Sequence, residues 1–293
     1  MENNILTGAY DLHVHSAPDV MPRKMNDLEM AQRIKDKGMK GYAIKSHYFC
    51  TSERATLIKK LYPEVNAIGA ICLNNSVGGI NPLAVEMAGR SGAKIVWMPT
   101  VDSKNELNFL KSGKVKKQPY WAKIKQEMEA DGVISPAIDL LEKGELKESV
   151  YNVLKVIKKY DMILATSHIG WEEVRAVVKA AAEMNIKKII ITHPDFPSTF
   201  LQKEQQKELV NYGAFIEHCF TTPATEKVTW EIVYDQIKTI GSKHCILATD
   251  LGQPLGVYPD EGLEIFANKL MDNGFNITDI DNMIRTNPKF LVE

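Results

Sequence analysis

Eight short apolar runs, each followed by a stretch with helical periodicity, divide the sequence from end to end. Parallel strands need a long crossover between them, usually a helix, so this alternation predicts a parallel sheet. The first run is Tyr10-Asp11-Leu12-His13-Val14-His15-Ser16, and the next three are Gly41 to Ser46, Ala67 to Leu73 and Lys94 to Met98. Met162 to Thr166, Lys188 to Thr192 (its apolar part starting at Ile189), Ala214 to Glu217 and Cys245 to Thr249 complete the set. No Pro/Gly-rich linker or change of composition interrupts them. A single (β/α)8 TIM barrel spanning residues 1–293 is therefore expected, with its active face at the carboxyl ends of the strands.

Local signals support the helices. Asn26 and Glu29 have capping-box spacing for a helix that ends near Gly38, and Asn81-Pro82 reads as an N-cap followed by proline at the first helical position. Another helix is expected over Ser52 to Leu61. Residues 101–135 are the least regular part and include Lys111-Ser112-Gly113-Lys114-Val115-Lys116-Lys117. That stretch is read either as a lid or insertion at the site or as a solvated surface loop. Gly132 to Ile138 is a candidate extra strand in a hairpin.

The histidines follow the same pattern. Of seven, His13, His15, His47, His168, His193 and His218 fall at carboxyl ends of predicted strands, and only His244 lies at the opposite end. Alternation along a strand puts His13 and His15 on one face and Leu12 and Val14 on the other. Asp250 follows the last strand. In a barrel these ends converge, and imidazoles gathered with a carboxylate suit one or two divalent ions, Zn²⁺ first, with Mn²⁺ or Fe²⁺ also compatible.

Composition excludes several classes of partner. A net charge of −1 gives no basic footprint for nucleic acid or an anionic membrane, and no run approaches the ~20 apolar residues of a membrane helix. The four cysteines show no CxxC pair, and Met1 to Ala9 carry no secretory apolar core, so a reduced cytoplasmic protein is expected. A small-molecule substrate is the expected partner, with a homo-oligomer left open.

Together, Asp11-Leu12-His13-Val14-His15, Ala165-Thr166-Ser167-His168, Ile190-Ile191-Thr192-His193-Pro194 and Ala248-Thr249-Asp250 resemble the amidohydrolase superfamily of metal-dependent barrel hydrolases. The tail Asn287-Pro288-Lys289-Phe290-Leu291 is similar to the segment that closes those domains. The resemblance spans nearly the whole chain and points to an uncharacterised branch. It implies His13, His15, His168, His193 and Asp250 as metal ligands, with His193 and Asp250 closest to the chemistry and Asp250 as proton shuttle. The implied reaction is hydrolysis of an amide, cyclic amide, lactone or related C–N or C–O bond.

The sequence also departs from that pattern. Binuclear members carry a carbamylated lysine at the end of strand four, where this chain has Trp97-Met98-Pro99-Thr100. Lys45 shares a strand face with His47 and is either a carbamate bridge, an ammonium that binds substrate, or an ordinary charged residue. His47, in Ala43-Ile44-Lys45-Ser46-His47, resembles the second motif of the polymerase-and-histidinol-phosphatase (PHP) phosphoesterases. Their closing Asp-x-His is absent, since Asp250 precedes Leu251-Gly252. A metal-dependent phosphoesterase is thus the alternative, followed by a non-oxidative decarboxylase and a non-catalytic metal-binding barrel. Arg23 is a candidate clamp for a substrate carboxylate or phosphate, or one half of a surface salt bridge. Of Glu217 and His218 only one can face inward, and His218 is preferred as a substrate contact.

Overall fold

The computed structural model describes residues 4–115 and 118–293; Lys116 and Lys117 of the basic stretch lie outside the described residues. Its strands are β1 (Tyr10–Val14), β2 (Gly41–Ile44), β3 (Asn66–Ile68), β4 (Ala70–Cys72), β5 (Ile95–Trp97), β6 (Leu141–Glu142), β7 (Glu145–Leu146), β8 (Ile163–Ala165), β9 (Ile189–Ile191), β10 (Phe215–Cys219) and β11 (Cys245–Ala248). β1, β2 and β3 are paired in that order, and β4, β5, β8, β9, β10 and β11 form a second parallel run. β3 and β4 are one strand broken at Gly69, so the third predicted strand links the two runs. A Cβ on Gly69 would lie 2.5 Å from the Ser52 backbone, which restricts the position to glycine.

Closure occurs between β1 and the chain just past β11. Asp250 N–H donates to the His13 carbonyl at 2.8 Å, His15 N–H donates to the Leu251 carbonyl at 2.8 Å, and Val14 and Leu251 form a parallel bridge. The result is the eight-stranded parallel barrel expected from the sequence. Inside it Tyr10, Leu12, Ile68, Trp97, Ile163 and Ile190 pack together, with Leu291 and Val292 added from the C-terminal helix. Burying each Leu or Ile of this kind stabilises the fold by about 1.5–3 kcal/mol. Val14, Ile44, Val96, Leu164 and Leu247 face outward into the larger core beneath the helices.

Helix starts follow the local signals. Asn26 accepts from Glu29 N–H while Glu29 returns to the Asn26 N–H, capping the helix Asp27–Asp36. Asn81 accepts from the Leu83 and Ala84 amides at the head of Pro82–Arg90. The helix Ser52–Leu61 has the expected bounds. Among the described residues no helix is long and apolar enough to cross a membrane.

Three expectations are corrected. Leu12 and Val14 do not share a face: pairing between β1 and β2 shifts register between Asp11 and Val14, which turns Leu12 into the barrel and Val14 outward. Among the described residues, 101–135 are not a surface loop throughout. They contain helices Lys104–Lys111 and Tyr120–Ala130, whose Leu107, Trp121 and Ala122 pack with Val101 and with Met21 from the loop after β1. Gly132 to Ile138 forms no strand beyond a single bridge from Ile138 to Ser103, and the hairpin is instead β6–β7.

Candidate metal centre

Each site residue leaves a strand at its carboxyl end, and three do so through an unusual backbone. Ser167 (φ 56°), His193 (φ 29°) and Asp250 (φ 52°) lie in the left-handed region just past β8, β9 and β11. For non-glycine residues this costs about 1–3 kcal/mol each, and such outliers cluster where function fixes a side chain's direction. After Asp250, Gly252 lets the chain pass against β1, since a Cβ there would lie 1.7 Å from the His15 carbonyl oxygen.

Five imidazoles form a ring around this mouth. Centroid separations are 5.5 Å for His13 and His15, 4.9 Å for His15 and His47, and 6.4 Å for His47 and His168. They continue at 4.9 Å for His168 and His193, and close at 6.0 Å between His193 and His13. In every one Nδ1 is turned to a protein group at 2.9–3.2 Å: Glu217 for His13, the Lys45 carbonyl for His15, Thr100 for His47, Glu106 for His168 and Thr199 for His193. An imidazole anchored at Nδ1 offers Nε2 as its ligating atom, and such partners set both tautomer and ring direction.

Asp250 completes the geometry. Its Oδ1 lies 3.0 Å from His13 Nε2 and 3.1 Å from His15 Nε2. Ligands at about 2.0–2.1 Å around a tetrahedral ion are separated by roughly 3.3 Å, so these three atoms fit a divalent cation. Asp250 retains 17% side-chain exposure, whereas His13 and His15 have 0% and 2%, so the carboxylate is the member that opens toward solvent. A second group, His13, Glu217 and Cys219, brings ligand atoms within 4.8 Å of one another below the mouth.

The electrostatics suit ligation at three of the rings, whereas at His13 burial and the Lys45 charge are outweighed by Asp250 and Glu217 and the imidazole is held above its ordinary value. Burial, reinforced by the Arg23 charge, holds His15 well below the ordinary imidazole value; burial does the same to His47 and His193. Those rings are thus neutral, the state a metal requires. Burial would raise the Asp250 carboxyl, but His13 and His15 outweigh it and hold the group well below the carboxylate range. At Asp11, burial wins over hydrogen bonds from Thr249 and the His13 amide and pushes the carboxyl up to about 7.

Other residues singled out in the sequence fall as follows. Lys45 is 1% exposed, with Nζ 2.9 Å from His13 Nε2 and 4.2 Å from the Trp97 ring centroid. It is therefore part of the mouth and not an ordinary surface lysine. Arg23 pairs with Asp19 through Nε at 2.7 Å and Nη2 at 2.6 Å, with Nη2 also 3.2 Å from His15 Nδ1. Its side chain is 4% exposed, so it is no surface salt bridge, and Asp19 already matches its charge.

His218 is a correction. It pairs with Asp195 at 3.2 Å, both fully buried, and stands beside Leu247 on the outward face of β10. Glu217 is the inward residue, facing His13. The structure decides the parity: Ile216, which alternates with His218, packs in the helix-facing core and Phe215 packs inside the barrel, so Glu217 faces inward, whereas the sequence offers apolar residues of both parities. Glu106, Thr100 and Thr199 had no signal in the sequence, because each comes from a loop or helix whose path is set by tertiary packing.

Similar solved structures share this architecture. An amidohydrolase from Pseudomonas aeruginosa superposes with a TM-score of 0.65 at 10% identity, covering 99% of this chain and 97% of that one. The probable dipeptidase PvdM from Pseudomonas aeruginosa gives 0.64 at 10% identity, with 99% and 95% covered. The lactonase Lmo2620 from Listeria monocytogenes gives 0.55 at 12% identity, with 99% and 96% covered. No curated protein matches the chain by sequence. The fold is thus that of the amidohydrolase-type barrels, and a family model covers residues 8–217: the chain belongs to DUF6282, a family of unknown function.

Proposed function

We propose that this protein is a metal-dependent hydrolase of a small molecule, cleaving an amide, cyclic amide, lactone or related C–N or C–O bond. The observation that carries the reading is the ring of five imidazoles, four of them hydrogen-bonded at Nδ1 and the fifth, His168, with Nδ1 3.2 Å from Glu106, closed by a carboxylate 3.0–3.1 Å from two of the Nε2 atoms. Similar folds named amidohydrolase, dipeptidase and lactonase add support for the bond types.

His13, His15 and Asp250 would hold the first ion, with His168 and His193 as further ligands and His47 at the rim. One divalent ion, Zn²⁺ before Mn²⁺ or Fe²⁺, or a pair of them, would supply Lewis acidity and lower the pKa of a coordinated water toward about 7. Asp250, ionised and partly open to solvent, accepts the proton of the attacking water at its carboxylate and returns it to the leaving nitrogen or oxygen. His193, fixed by Thr199, orients the reacting group. The helices of residues 101–135, packed against Met21 and Tyr48 near His47, are the candidate lid of a single domain.

Elemental analysis of purified protein together with a panel of amides, cyclic amides, lactones and phosphomonoesters tests the reading. Bound divalent metal and turnover of a carbon-centred substrate are expected. Turnover of phosphomonoesters alone would instead favour the phosphoesterase alternative, which draws on the position of His47 4.9 Å from His15. Absence of metal after reconstitution would overturn both.

A further inference from the structure

Lys45 is a buried cation without an anion. Its Nζ meets His13 Nε2 at 2.9 Å and the face of Trp97 at 4.2 Å, and among the described residues no carboxylate forms an ion pair with it. An ammonium carries three donors and no acceptor, and burying one without matched oxygen partners is costly. Here a single lone pair, on His13 Nε2, serves it.

That lone pair is contested. Glu217 Oε2, 3.2 Å from His13 Nδ1, fixes the proton on Nδ1 and leaves Nε2 as the ring's acceptor. An sp² ring nitrogen has one in-plane lone pair, which can go to the Lys45 ammonium or to a metal ion, but not to both. Once an ion takes His13 Nε2, Lys45 keeps only the Trp97 face. Arg23 does not share its situation, since Asp19 holds that guanidinium.

We infer that Lys45 forms an oxyanion subsite beside the metal centre: it donates to a carboxylate-like or phosphate-like oxygen of the substrate once metal has displaced it from His13. This rests on the metal-centre reading above and deepens it, because it assigns the substrate an anionic oxygen within reach of Lys45. Trp97, fully buried beneath the ammonium, keeps the lysine extended toward the mouth and excludes a competing water from that side. Metal and anion are then coupled. Each relieves a cost that the other imposes, so binding of one tightens the other by the same factor.

The test is a Zn²⁺ titration of the full-length protein, with and without saturating acetate or inorganic phosphate, corrected for zinc bound by the anions in solution. In the unmodified protein the anion should tighten Zn²⁺ at least fivefold, the lower end of ordinary coupling. Lys45→Met should bind Zn²⁺ more tightly than the unmodified protein in the absence of anion, because the competitor for His13 Nε2 is gone, and should lose most of the coupling. Lys45→Arg, which keeps a cation, should retain it, and Lys45→Gln supplies a second neutral variant should Lys45→Met fold poorly. Coupling of equal size in the neutral variants, or none in the unmodified protein, overturns the assignment of Lys45 while leaving the metal centre standing. Failure of the unmodified protein to bind Zn²⁺ or Mn²⁺ at all overturns both.

Discussion

Glu217 Oε2 lies 3.2 Å from His13 Nδ1, with both side chains wholly buried, and Glu217 Oε1 has no hydrogen-bond partner among the described residues. The carboxylate is therefore placed to act on the proposed centre through the imidazole, fixing its tautomer and making Nε2 a stronger donor to a metal ion. Glu217→Gln keeps an acceptor but removes the charge, and metal affinity should fall about 10–100-fold, the range typical of such partners. Calorimetric titration of metal-free protein measures it. Affinity equal to that of the unmodified chain would show that Glu217 serves packing alone.

Asp250→Asn should retain most of the bound metal while losing turnover by about 10²–10⁴-fold or more, since an amide oxygen cannot take up the proton of water at neutral pH. His13→Ala and His15→Ala should lose the metal as well, with partial recovery of turnover in excess metal. Metal content and kcat have to be taken on the same preparations. Near-normal kcat in metal-loaded Asp250→Asn would remove Asp250 as the proton shuttle.

Chelation should destabilise the fold as well as silence it. At free metal about 100-fold above Kd, binding to the native state alone contributes roughly 2.7 kcal/mol, which for a chain of this length corresponds to a Tm about 4 °C higher than in chelator. Calorimetric scans with and without chelator, at fixed ionic strength, give the difference. A Tm indifferent to both metal and chelator would argue against an ion held by His13, His15 and Asp250.

Away from the mouth, Glu86 predicts a pH dependence. Lys159, at 2.8 and 3.0 Å, together with Tyr160 and Arg90, holds its carboxyl down at about 2. Because the folded value lies below the unfolded one, near 4.3, the contribution is complete above that pH and disappears as pH falls through about 2. Glu86→Gln should therefore lower Tm at pH 7, and the gap to the unmodified protein should shrink steadily below pH 4.5. A gap independent of pH over that range would mean that the carboxylate charge is not what ties helix Pro82–Arg90 to Lys159.

Much of the fold was legible because its signals are local. Asn26 with Glu29, Asn81 with Pro82, and the apolar runs at each strand depend on neighbours a few residues away, and the structure places them where their chemistry directs. The turn of Leu12 into the barrel was not legible, since the register shift in β1 arises from pairing with β2, thirty residues on. Parity showed that Glu217 and His218 face opposite ways but not which faces inward, because Phe215 and Ile216 are apolar at both parities, and preference for an imidazole misled the choice. The helices at 104–111 and 120–130 escaped notice because their shared apolar surface is small and is completed by Met21, far away in the chain. Of the mouth, the histidines announced themselves by position, whereas Glu106, Thr100 and Thr199 reach it only through tertiary structure.

The hydrogen bond from Asp250 N–H to the His13 carbonyl joins the first strand to the residue that follows the last. During synthesis, then, about 235 further residues must follow His15 before Asp250 can meet it and His13. Until that moment β1 and β10 are open edges, able to pair with another chain. Premature capture of a metal ion by His13 and His15 would lack Asp250 and be correspondingly weak, so at the proposed centre loading would follow closure of the barrel. A nascent chain that stalls before β11 docks would be both metal-free and aggregation-prone, which makes completion of the barrel a checkpoint on its chemistry.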